Sequence, residues 1–167
     1  ENLSKSYLET KDYNKAEKTL KYFISLNKED DLIAYQLLYE IYSTTNKYYE
    51  LRKLTKSAIN KGKYDNKFHL KSRLFYPSFF GSLQEIKETR YAFENEVDTM
   101  LDEENLPKLD LTENLLKPSN FELIFDGFDN LKLNKKLVKL YKKIYPELSR
   151  IQDFTVKKNK KIKIGFI

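Results

Sequence analysis

The chain has 167 residues, 40% of them hydrophobic, with a formal net charge of +6. It lacks cysteine and holds one histidine, His69, which excludes disulfides, thiolate metal sites and a cysteine nucleophile and leaves zinc or triad chemistry without its residues. Four glycines and four prolines are too few for a many-stranded or collagen-like architecture and favour helices. The basic excess is nearly all lysine, with arginine only at Arg52, Arg73, Arg90 and Arg150. Arginine is the usual tool for bidentate phosphate and base-edge contacts, so nucleic acid is not the expected partner. No apolar run approaches the roughly 18 residues of a membrane span, and no signal-peptide pattern opens the chain. A cytoplasmic protein that binds no membrane is expected.

The first sixty residues repeat themselves. Tyr7, Thr10 and Tyr13 align with Tyr42, Thr45 and Tyr48, and Leu3 with Leu38, all at an offset of 35. Each segment continues into an amphipathic stretch, Ala16, Leu20, Phe23 and Ile24 in one and Leu51, Leu54 and Ala58 in the other, near the period of a helix. The pattern resembles the tetratricopeptide repeat, a helix–turn–helix unit of about 34 residues that stacks on its neighbours to bury its apolar face. Tyr7 and Tyr42 match the tyrosine of its first helix, and Ala16 matches the small residue opening its second. Leu51 stands where another small residue is expected, and Lys28 where the unit often closes on proline. Two units are fewer than such stacks need, so further repeats before Glu1 or a cap after residue 62 are expected.

Gly62 falls where a left-handed helix cap belongs. The spacing predicts a third helix from Asp65 to Phe75, with Phe68, Leu70, Leu74 and Phe75 as its apolar set, ended by Pro77. His69 on this helix reads as a structural residue. Ser82 and Glu85 form a capping box for a helix whose apolar face holds Ile86, Phe93, Val97, Met100 and Leu101. The acidic cluster Asp98, Asp102, Glu103 and Glu104 reads as a solvated helix end. Residues 105–120, with Pro107 and Pro118, read as a linker. Phe121 to Phe128 is a short aromatic extended segment or turn, and Leu133, Leu137, Leu140, Tyr141 and Ile144 define a helix stopped by Pro146. Finally Ile162, Ile164 and Phe166 alternate with Lys161, Lys163 and Gly165, the period of a strand. So apolar a strand needs sheet neighbours that the rest of the sequence does not offer, and Ile167 is therefore not expected to be a natural carboxyl terminus.

The expected organisation is mainly α: two degenerate repeats in 1–62, additional helices in 63–104, a linker with one amphipathic helix in 105–160, and one isolated β-strand in 161–167. The order of these parts resembles the region before the catalytic half of bacterial SPINDLY-type proteins, relatives of the O-linked N-acetylglucosamine transferases in glycosyltransferase family forty-one. Ser82, Glu85, Ile86 and Arg90 match that family's Ser-x-x-Glu-Ile-x-x-x-Arg segment. Lys161, Ile162, Lys163, Ile164, Gly165 and Phe166 match the strand opening its first Rossmann-like lobe. Phe125-Asp126-Gly127 partly matches an aromatic-Gln-Gly turn.

The resemblance implies a noncatalytic repeat and linker region that presents acceptor protein to a downstream catalytic domain of the same chain. That domain would use a nucleotide-sugar donor, and the segment itself holds no catalytic, cofactor or metal residue. If first helices line a groove, Lys5, Glu9, Gln36 and Glu40 are the polar positions placed to meet an acceptor. The alternative is a stand-alone tetratricopeptide-type adaptor binding a peptide along its concave face.

Overall fold

The computed structural model describes residues 2–26, 31–112, 116 and 121–149. The protein is mainly helical, and there is no strand among the described residues. The α-helices run α1 Asn2–Glu9, α2 Tyr13–Ser25, α3 Asp31–Thr44, α4 Tyr48–Asn60, α5 Asn66–Arg73, α6 Leu83–Asp102 and α7 Leu131–Ile144, with short 3₁₀ turns at Glu122–Phe125 and Pro146–Ser149. No helix among the described residues is long and apolar enough to cross a membrane. The expected strand at 161–167 lies outside the described residues.

The turns show why the chain reverses where it does. Lys11 and Asn46, 35 residues apart, both adopt left-handed backbone, φ 57° and 54°. Around each, one amide reaches back three residues and the next reaches back five: Lys11 to Leu8 and Asp12 to Tyr7, then Asn46 to Ser43 and Lys47 to Tyr42. This pairing satisfies the last carbonyls of α1 and α3. The same pattern recurs after α4, where Gly62 at φ 66° binds Ile59 and Lys63 binds Ala58. Glycine takes that conformation without the penalty a Cβ brings.

The period does not stop at residue 62. α2, α4 and α6 begin at 13, 48 and 83, and α3 and α5 begin at 31 and 66. Thus α5 and α6 occupy the places that α3 and α4 hold one unit earlier. α5 has 8 residues against the 14 of α3. Pro77 lies too close for the helix to continue, because proline lacks the amide donor and restricts the residue before it. α6 then begins at the cap read from sequence, with Ser82 Oγ accepting from the Glu85 amide at 3.1 Å. The Glu85 carboxylate accepts from the Gly81 amide at 2.6 Å, one residue before the cap.

Two hydrophobic cores result, and α5 belongs to both. The first gathers Ala16 and Leu20 from α2, Tyr35 and Leu38 from α3, Leu51 and Ala58 from α4, and Phe68 from α5. The second gathers Leu70 and Leu74, Phe93, Val97 and Met100 from α6, and Leu133, Leu137, Leu140 and Ile144 from α7. The stretch read as a linker carries Leu106, Leu109 and Leu116 into this second core. It is pinned to the end of α7: the Leu109 amide donates to the Ile144 carbonyl at 2.9 Å, and the Leu116 amide to the Tyr145 hydroxyl at 2.7 Å. Lys143 Nζ closes the C-terminus of α6 by donating to the carbonyls of Leu101 and Glu103.

The second core also encloses an ion pair. Arg90 donates to Asp126 Oδ2 at 2.7 Å, with the Asp126 side chain fully buried. Asp126 accepts a second bond from the Tyr76 hydroxyl at 3.2 Å and a third from the Phe128 amide at 2.9 Å. Arg90 is further held by Glu94, Asn130 and the Asp129 carbonyl. Four of the guanidinium's five N–H donors thus meet an acceptor, and such added hydrogen bonds are what make a buried pair tolerable. In the stretch 121–128, read as extended or turn, Glu122–Phe125 form a 3₁₀ turn, and Asp126 lies between it and the left-handed Gly127, φ 78°. Removing one partner leaves a buried charge uncompensated, so Asp126→Ala should lower the unfolding free energy by about 3 kcal/mol in urea titration. A loss below about 1 kcal/mol would place the pair in solvent.

Candidate functional site

The four residues expected to meet an acceptor lie on α1 and α3. Glu9 is exposed at the end of α1. Lys5 is on the same helix, and its side chain lies outside the described set. Gln36 and Glu40 are engaged by the next unit: Gln36 Nε2 donates to Asp65 Oδ2 at 2.9 Å, and Glu40 pairs with Lys71. The Lys71 ammonium also sits 4.7 Å from the centre of the Tyr39 ring. These α3 side chains therefore join α3 to α5.

A polar cleft of about 320 Å³ lies instead between α4, α5 and α6, lined by Arg52, Thr55, Lys56, Ile59 and Asn60 of α4, Ser72 and Arg73 of α5, and Glu96 of α6. A second hollow sharing Arg52 continues it along α4 and α6 past Tyr48, Tyr49, Glu88 and Ala92.

The repeat explains the cleft. Counting back 35 residues, Arg52, Thr55, Lys56 and Ile59 correspond to Glu17, Leu20, Lys21 and Ile24 of α2, and Arg73 of α5 corresponds to Leu38 of α3. At the first junction Leu20 and Leu38 are buried in the core. Glu17 there bridges forward to Lys47 at 2.7 Å and accepts from the Tyr42 hydroxyl at 3.2 Å, tying α2 to the following hairpin. At the second junction two leucines have become threonine and arginine, and the bridging glutamate has become Arg52.

The floor of the cleft sets one arginine against two carboxylates. Arg73, with a side chain 9% exposed, pairs with Glu96 and, at 2.7 Å, with Glu103. Burial works against the Arg73 charge and the two carboxylates outweigh it, while the hydrogen bond from Arg73 holds the Glu103 carboxyl below its usual range. The rim is not balanced. The contact recorded for Arg52 is a 3.4 Å bond to the Tyr48 hydroxyl, with the guanidinium 5.9 Å from that ring's centre. Lys56 is exposed on the same helix face, four residues on. The Thr55 hydroxyl is buried without a hydrogen-bond partner.

His69 borders this cluster. Arg73 Nη1 lies 3.0 Å from His69 Nε2, and a guanidinium can only donate, so the imidazole is neutral with its proton on Nδ1. Burial, then the Arg73 charge, push its pKa below the ordinary 6.5.

Sequence reading placed candidate residues on the first helices and missed the cleft, which draws on three helices spread over 45 positions. One signal was present: Thr55 interrupts the apolar face of α4, and two of the chain's four arginines flank it. No family model matches the chain, and neither a curated protein nor a solved structure matches it.

The histidine gives a sign that can be checked. In the unfolded chain it titrates near 6.5 and the folded value lies lower, so the unfolded state binds more protons below that pH. Its contribution to stability should therefore fall as pH drops from about 7 through 6. Urea midpoints measured between pH 7.5 and 5.5 should decline for the wild type and decline less for His69→Gln. Parallel declines would show that His69 is equally protonated in both states.

Proposed function

We propose that the chain is the noncatalytic, repeat-bearing part of a protein O-glycosyltransferase of the SPINDLY type, which presents acceptor protein to a downstream catalytic domain using a nucleotide-sugar donor. In this reading the helical hairpins are degenerate tetratricopeptide units. The observation that carries it is the recurrence of helix starts every 35 residues across α2 to α6, followed without a break by the core that encloses Arg90 and Asp126. Arg90 belongs to the Ser-x-x-Glu-Ile-x-x-x-Arg segment and Asp126 to the aromatic turn, two separate stretches of the sequence resemblance. Their pairing supports treating the resemblance as one connected region rather than as scattered short matches. The acceptor would lie on the helical hairpins, with exposed Glu9 among its contacts.

The test is the reading frame beyond the codon for Ile167. Several hundred further codons with alternating strand and helix patterns are expected, and the protein they complete should bind a nucleotide sugar in calorimetry. A stop at that point would remove the transferase and leave a peptide-binding adaptor.

A further inference from the structure

We propose that the turn at residues 121–128 and the exposed face of α7 together form a docking surface for an anionic lipid bilayer. This assignment does not depend on the transferase reading, and it replaces the expectation that no membrane is bound. Docking on a bilayer surface needs no spanning helix, so it is compatible with the absence of one among the described residues.

The apolar part comes from the 3₁₀ turn. In such a turn residues three apart lie on one side. Leu123 and Asp126 point inward, 1% and 4% exposed, which leaves Phe121 with Ile124 and Phe125 with Phe128 facing out. Phe121, Ile124 and Phe125 are 65%, 65% and 69% exposed, so they stand out from the surface rather than line a groove. The rings of Phe121 and Phe125 meet edge-on, 5.5 Å between centres. Single exposed apolar residues are ordinary, whereas several side by side mark a contact surface. The side-chain amide of Asn130, donating to the Leu123 carbonyl at 2.8 Å, fixes this apolar tip at the start of α7.

The charged part is α7 itself, which has six lysines and no acidic residue. Lys136 pairs with Asp98, and Lys143 closes the end of α6. Lys132, Lys135, Lys139 and Lys142 are exposed and have no ion pair among the described residues. Leu131 and Val138 stand between them, 58% and 55% exposed. Leu131, Lys135, Val138 and Lys142 recur at the spacing of one helix face, opposite the buried Leu133, Leu137, Leu140 and Ile144. Leu131, three residues after Phe128, opens that face where the apolar tip ends.

A lysine-rich face without acids calls for an anionic partner. Nucleic acid fits it poorly, because its cations are lysines and Ile124, Leu131 and Val138 offer no ring on which a base could stack. A second copy across a two-fold axis would set the same lysines against themselves. An anionic bilayer meets both parts. Its headgroups attract the lysines, whose stems reach back along apolar surface, and its acyl boundary takes up the apolar side chains. A tip that stands out from the surface needs no matching pocket there.

Co-sedimentation of the whole chain with phosphatidylcholine vesicles, with and without about 30% phosphatidylserine, tests the assignment. The protein should bind the anionic vesicles and leave them at about 0.5 M salt. Phe121→Ser with Phe125→Ser, and separately Lys132→Gln with Lys135→Gln, should each weaken binding by about tenfold or more. All four side chains are exposed, so both variants should keep the wild-type melting temperature. Lys18→Gln with Lys56→Gln removes the same charge from exposed positions on α2 and α4 and should leave binding unchanged. The chain has no tryptophan, so Phe125→Trp supplies a single reporter whose emission should shift to the blue on anionic vesicles. Tyr22→Trp, at a position 66% exposed on α2, should show no shift. Absence of binding to the anionic vesicles, an equal loss in the Lys18 and Lys56 variant, or an unshifted emission at position 125 would overturn the assignment. Tighter binding to a single-stranded oligonucleotide than to vesicles, lost in the Lys132 and Lys135 variant, would give the face to nucleic acid and overturn it as well.

Discussion

An eight-residue helix is too short to hold itself in water, so α5 exists because it is buried from two sides. Phe68 enters the core built by α2, α3 and α4, where its ring meets that of Tyr39 edge-on, while Leu70 and Leu74 enter the core built by α6 and α7. Between these apolar anchors Arg73 reaches α6 through Glu96 and the end of that helix through Glu103. Phe75, just past the helix, packs against Tyr39 and Tyr48. This one short helix thus contributes to both cores, and the cleft opens beside it.

The same constraint accounts for how the repeat changes along the chain. A stacked helical unit must satisfy its outer face against the next unit. At the first junction leucines and a bridging glutamate do this. At the second, the partner is a truncated helix with an arginine at the place of Leu38, and α4 answers with a threonine and an arginine. The polar character of the cleft follows from that substitution pattern, while the second core beyond it is closed by leucines from α6, α7 and the chain between them.

Much of this was legible in the sequence, and for a physical reason. Amphipathic periods predict helices well because burial of one face is what stabilises them, and most of the apolar residues read for α5, α6 and α7 are buried, with Phe75, Ile86, Leu101 and Tyr141 partly so. The cap at Ser82 and the turn at Gly62 were legible because their backbone needs leave specific residue types. The third occurrence of the 35-residue period was not, because Pro77 shortens α5 and erases the tyrosine that marks the first two units. The burial of Leu106, Leu109 and Leu116 was not legible either, since an irregular segment has no period and its burial depends on α7, some thirty residues away. The cleft was hidden for the same reason. Its residues become neighbours only when α4, α5 and α6 are assembled, and Gln36 and Glu40 gave no sign that α5 would claim them.

The central claim is that α5 makes the two cores one cooperative structure. Native-state hydrogen exchange, measured for amides of α3 and of α7 in the wild type and in Leu70→Ala, tests it most directly. Leu70 is fully buried in the second core, so its truncation creates a cavity there and should cost about 2–5 kcal/mol. If α5 couples the halves, the slowest amides of α3 and α7 should lose protection by the same amount. Loss confined to α6 and α7, with α3 protected as before, would show two independently stable units and contradict the account.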